Sequence, residues 1–139
     1  MIVYYVINTL RQYGGGEMNF KDNLPIYIQI MNLIKKRIIL GELKEGEKLP
    51  SVREMSTELK VNPNTIQRSY QELERENLVS TQRGTGSFVT EDMNIINELK
   101  KNMANNIVEG FLKEMKSIGF NPSEIIILID EKVRREKNE

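Results

Sequence analysis

A chain of 139 residues has room for one compact domain and an accessory element, and not for a second large ligand-binding domain. It contains neither histidine nor cysteine, which excludes disulfides, thiol nucleophiles, imidazole bases and Cys/His zinc sites, so neither an enzyme nor a bound cofactor is expected. Twenty Lys/Arg balance twenty Asp/Glu, so net charge leaves a polyanionic partner open and the field at one face must decide.

The first seventeen residues differ from the rest. Met1 to Tyr13 carries three tyrosines and no amphipathic period, and it lacks the basic start and cleavage site of a signal peptide. Gly14-Gly15-Gly16-Glu17 then precedes Met18. Glycine codons begin with GG, so this run is what a ribosome-binding sequence looks like when translated in frame. Two readings stand: Met18 is the native start, or residues 1–17 form a genuine strand or arm. No apolar run approaches the length of a transmembrane helix, so a cytoplasmic protein without a membrane partner is expected.

Asn23-Leu24-Pro25 signals a helix start, and Ile26, Ile30, Leu33, Ile34 and Ile38 form an apolar stripe ending at Gly41. Lys35-Lys36-Arg37 reads as its solvated end, with phosphate contact the lesser alternative. Leu43 to Pro50 is a loop. Ser51-Val52-Arg53-Glu54 is a capping box in which serine and glutamate each satisfy a free N–H of the first turn. Val52, Met55 and Leu59 make the buried stripe of that short helix. The pattern breaks at Lys60-Val61, and Asn62-Pro63 restarts a helix with an N-cap and a proline at the first position.

Two helices joined by so short a turn are a helix-turn-helix. The second buries Ile66, Tyr70 and Leu73 and closes at Glu76-Asn77. Asn64, Gln67, Arg68 and Gln71 stand at i, i+3, i+4 and i+7, on one outward face. Amides and arginine carry the donors and acceptors that match base edges in a major groove. A solvated face is the plain alternative for Gln67 and Arg68, and an ion pair with Glu54 or Glu58 is the alternative for Arg53.

Leu78 to Thr81 and Ser87 to Thr90 are β-prone runs around Gln82-Arg83-Gly84-Thr85-Gly86, the pattern of a hairpin. Placed after a recognition helix, such a hairpin is a wing, with Arg83 at its tip. Met18 to Thr90 holds eleven Lys/Arg against nine Asp/Glu, and Glu91 to Glu139 eight against ten. From Met93, Ile96, Leu99, Met103, Ile107, Phe111 and Met115 recur at helical spacing up to Ser117-Ile118-Gly119. Asn121-Pro122-Ser123-Glu124 opens another element, and Ile125 to Ile129, including Leu128, is an apolar run whose cap argues for helix over strand. A two-helix tail cannot bury these residues alone, which implies a partner surface, most simply a second copy.

The segment Leu24–Val89 resembles the N-terminal winged helix-turn-helix domain of the GntR family of bacterial transcription regulators. The match is carried by Pro25-Ile26-Tyr27-Ile28-Gln29-Ile30, Gly41-Glu42-Leu43-Lys44-Glu45-Gly46, Leu49-Pro50-Ser51-Val52-Arg53, Val61-Asn62-Pro63-Asn64-Thr65, Arg68-Ser69-Tyr70, Leu73-Glu74 and Arg83 to Val89. The short tail is similar to the YtrA-type subgroup, where it chiefly makes the dimer and the genes often adjoin ABC-transporter genes.

The resemblance implies a mainly α fold with a β-hairpin wing: residues 18–90 as the DNA-binding domain and 91–139 as a helical dimerisation tail. It implies DNA contacts from Ser51, Arg53, Asn64, Thr65, Gln67, Arg68, Gly84 and Thr85; the α-helical face and the wing add Asn62, Gln71, Arg83 and Gly86 as expected contacts. Pro63 and Gln67 stand where relatives often have arginines, so the base sequence read does not transfer. The implied function is a homodimeric repressor on a palindromic double-stranded operator. A small-molecule effector, if any, would bind at the tail or between tail and DNA-binding domain. A winged helix used for protein–protein contact is the alternative, and it would present acidic or apolar residues around Gln67 and Arg68.

Overall fold

The computed structural model describes residues 24–138; the segment read as leader or arm lies outside them. In chain order the elements are α1 (Ile26–Ile39), α2 (Val52–Leu59), α3 (Pro63–Arg75), β1 (Val79–Gln82), β2 (Gly86–Val89), α4 (Met93–Ser117) and α5 (Pro122–Lys137). They form two compact units, the first reaching to Leu99 and the second starting at Lys100. The division falls inside α4, later than the end of the hairpin.

In the first unit α1 buries Ile30, Met31, Leu33, Ile34 and Ile38 against Met55 and Leu59 of α2, Ile66, Tyr70 and Leu73 of α3, and Val79 and Val89 of the hairpin. Leu43 and Leu49 from the intervening loop complete this core. Ile26, expected on the buried stripe, is 42% exposed; it is the first residue of α1, directly after the N-cap Pro25. The basic cluster at the end of α1 is also not the solvated end expected. Arg37 is 4% exposed and pairs with Glu42 at 3.4 Å, while Lys35 pairs with Glu76 at 2.8 Å. The backbone explains Arg37: Glu42 and Leu43 both donate to its carbonyl, folding the loop back over it.

The hairpin is antiparallel, pairing Val79 with Val89 and Gln82 with Gly86 around a three-residue tip, Arg83-Gly84-Thr85. The loop before α2 adds to it: Lys48 bridges Phe88, and Leu49 N–H donates to the Ser87 carbonyl at 2.8 Å. Ile96 of α4 belongs to the same core, with Ile95 and Leu99 packed against it. Burial of Ile96 therefore needs no second copy.

In the second unit α5 is a helix, as its cap indicates. Asn121 accepts from Glu124 N–H at 2.9 Å and its own N–H donates to the Glu124 carboxylate at 3.1 Å, a complete capping box. Of the apolar run only Ile125 is buried and Leu128 half-buried. Ile107, Ile126 and Ile127 are 60–70% exposed, and Phe111, Ile129 and Val133 are exposed as well.

Candidate nucleic-acid interface

Three segments of the first unit carry the contact residues expected from the sequence. The first is the start of α2. Ser51 caps it, accepting from the Glu54 N–H at 3.1 Å; only this serine half of the expected box forms. Cap and free N–H groups leave a partial positive charge at the helix start, suited to a phosphate. Arg53 is exposed there and makes no ion pair among the described residues, so the pairing with Glu54 or Glu58 does not form.

The turn into α3 is held by side chain and backbone together. Lys60 takes the left-handed conformation (φ 53°), and Val61 N–H donates to the Ser56 carbonyl while Ser56 Oγ donates to the Val61 carbonyl at 2.6 Å. That reciprocal pair stabilises a backbone state that costs a non-glycine residue energy. Asn62 then caps α3, accepting from Asn64 N–H at 2.8 Å, with Pro63 in the first turn.

On α3, Asn64, Gln67, Arg68 and Gln71 are exposed together, Thr65 is half-buried, and Ile66, Tyr70 and Leu73 lie inside. Two side chains that the sequence did not single out fix this arrangement. Ser69 is fully buried, with its hydroxyl 3.0 Å from the carbonyls of both Tyr27 and Thr65. The Tyr27 ring, at the start of α1, lies under Arg68, whose guanidinium carbon is 3.8 Å from the ring centroid. Ile26, Tyr27, Asn64, Thr65 and Arg68 line a shallow depression of about 370 Å³. Tyr27 borders the apolar stripe of α1, three residues before Ile30, but nothing local in the sequence ties it to position 68.

The inner side of α3 is equally fixed. Tyr70 donates to the Pro50 carbonyl at 2.6 Å. Burial holds its phenol well above the usual range, the Glu54 and Glu58 charges add to that, and Arg37 opposes it. At neutral pH the hydroxyl is therefore protonated and donates.

The third segment is the wing. Arg83, Gly84 and Thr85 are exposed at its tip, and both Gly84 (φ 76°) and Gly86 (φ 133°) have backbones that L side chains rarely adopt. A Cβ on Gly86 would sit 2.6 Å from Lys48 Cε, so the glycine also makes room for a lysine laid beside the tip. Lys48, which in the sequence looks like part of a plain loop, thus brings a second cation to the wing, beside Gly86.

A tri-helical core, a capped two-helix corner and a hairpin with a cationic tip define a winged helix-turn-helix regulator. Residues 26–89 match the model of the bacterial regulatory proteins, gntR family. The HTH-type transcriptional regulator YhcF of Bacillus subtilis is 48% identical over 107 residues, 77% of this chain and 88% of that protein. The transcriptional repressor YtrA of the same organism is 44% identical over 72 residues, 52% of this chain and 55% of that protein. Among solved structures, a GntR family transcriptional regulator from Listeria monocytogenes superposes with a TM-score of 0.74 at 44% identity, covering 81% of this chain and 98% of that one. YtrA from Sulfolobus acidocaldarius, a GntR-family transcription factor, gives 0.53 at 32% identity over 70% of this chain and 96% of its own. The chain belongs to the GntR family and is a DNA-binding transcription regulator. Among the described residues no helix is long and apolar enough to cross a membrane.

Proposed function

We propose that the chain is a cytoplasmic homodimeric repressor that occupies a palindromic operator and so blocks transcription of its own operon, with ABC-transporter genes among the targets. The observation that carries this reading is the outward ridge of Asn64, Gln67, Arg68 and Gln71 on a helix fixed from behind by Ser69 and Tyr70. Base edges in the major groove need such groups held at known positions. Ser51, Arg53 and Thr65 would set register on phosphates, and Arg83 with its flanking glycines would approach the backbone or minor groove beside the site.

Dimerisation is assigned to the second unit. Its Ile107, Phe111, Ile126, Ile127 and Ile129 are each exposed, and large apolar side chains left open in this number call for a covering partner. Two copies joined there would set two α3 helices about 34 Å apart, one turn of the duplex. The repressor sense is supported by the relative YtrA, which carries that description. The protein–protein alternative calls for acidic or apolar residues around Gln67 and Arg68; the ridge of α3 itself holds amides and an arginine, with the exposed Ile26 of α1 the apolar side chain beside Arg68.

Footprinting on DNA upstream of the chain's own gene tests the proposal. A protected palindrome with two protomers bound, and higher transcript on deletion of the gene, is the expected result. Protection without symmetry, or transcript that falls on deletion, would contradict the dimer or the repressor sense respectively.

A further inference from the structure

We infer that Tyr27 is a specificity-determining residue, a platform that holds Arg68 in position to read a guanine in each half-site; the inference rests on the DNA-binding reading above. An arginine on an open helix face samples many rotamers, and ordering it on DNA costs part of the contact it makes. Here the guanidinium lies over an aromatic ring at 3.8 Å, van der Waals distance. Stacking occupies the face of the guanidinium plane. The N–H donors point along its edge, and they are what a bidentate contact to guanine O6 and N7 requires.

An acidic partner would have held the arginine differently, using up donors and cancelling charge. Among the described residues Arg68 makes no ion pair, so the ring orders the side chain and leaves its chemistry available. The platform is itself fixed to the helix that carries the arginine. Ser69, next to Arg68 in the chain, is fully buried and its hydroxyl lies 3.0 Å from the Tyr27 carbonyl. Tyr27 and Arg68 thus move together as α3 enters a groove. Asn64 and Thr65 line the same depression, which puts the stacked arginine among the other groups of the reading surface.

The test is a cycle on the full-length protein with duplexes selected by the wild type. Tyr27→Leu should weaken binding to the selected duplex about two- to fivefold, equivalent to ~0.5–1 kcal/mol at 1.4 kcal/mol per tenfold. It should flatten the preference at one guanine per half-site while leaving random DNA and the salt dependence unchanged. Tyr27→Phe, which keeps the ring, should behave as wild type. In an Arg68→Ala background Tyr27→Leu should have no further effect. In the free protein, side-chain NMR signals of Arg68 should be shifted upfield by the ring in wild type and Tyr27→Phe, and return in Tyr27→Leu. Equal losses on random DNA, a loss that persists without Arg68, or unshifted Arg68 signals would overturn the inference. If the wild type selects no duplex, the operator reading fails by itself, and the NMR shift still judges the platform.

Discussion

The hydroxyl of Tyr70 donates to the carbonyl of Pro50 at 2.6 Å, joining the middle of the recognition helix to the residue before Ser51. One bond thus couples the helix proposed to read bases to the helix start proposed to meet a phosphate. Tyr70→Phe keeps the ring in the core and deletes the donor, leaving a carbonyl short of a partner. The expected cost is about 1–2 kcal/mol of folding stability, read by urea unfolding, with weaker DNA binding at temperatures where the fold is intact. Unchanged stability would mean that the bond does not hold the corner.

The same phenol gives a pH signature. Its folded-state pKa is raised above the ordinary value of 10.0, chiefly by burial and then by Glu54. A raised pKa means that the folded state resists deprotonation, so this contribution is complete below pH 10 and declines as pH climbs beyond it. Stability should fall in alkali, and the fall should be smaller in Tyr70→Phe. Parallel alkaline profiles for the two proteins would assign the loss to other groups.

At the wing, two glycines separate backbone strain from crowding. Gly84→Ala meets strain alone, with nothing near its Cβ, whereas Gly86→Ala meets strain and the Lys48 side chain. Each should cost ~1–3 kcal/mol, and Gly86→Ala should also displace Lys48. The checks are thermal unfolding and the salt slope of DNA binding, which should fall for Gly86→Ala by about one phosphate contact. An identical salt slope in both variants would count against Lys48 as a wing cation.

Most of the DNA-binding unit was legible in the chain because its signals are local. Asn62-Pro63 and the glycines of the wing state where elements begin and turn, as Asn121-Pro122 does in the second unit, and each does so in the structure. What was not legible depends on contacts distant in sequence. Arg37 looks like a surface cation until the loop folds back to bring Glu42 against it. Tyr27 and Arg68 meet only because α1 packs across α3. Ile96 has the spacing of a tail residue, yet it completes the core of the first unit. Periodicity identifies an apolar face without naming what will cover it.

For the second unit, the exposed isoleucines are expected to be the seam between two copies. Ile107→Glu with Ile126→Glu should convert a dimer to a monomer in sedimentation, with helical content retained by circular dichroism. Operator affinity should drop by far more than tenfold, since a single half-site loses the advantage of linked binding. A variant that stays dimeric would place the interface elsewhere.

The most direct test is selection of bound duplexes from a random pool, by wild type and by Arg68→Ala. The account expects the wild type to recover an inverted repeat with half-site centres about one helical turn apart. Arg68→Ala should lose roughly 1–3 kcal/mol on that sequence and little on random DNA. Recovery of no common sequence, or an equal loss on both kinds of DNA, would contradict base reading by the ridge of α3.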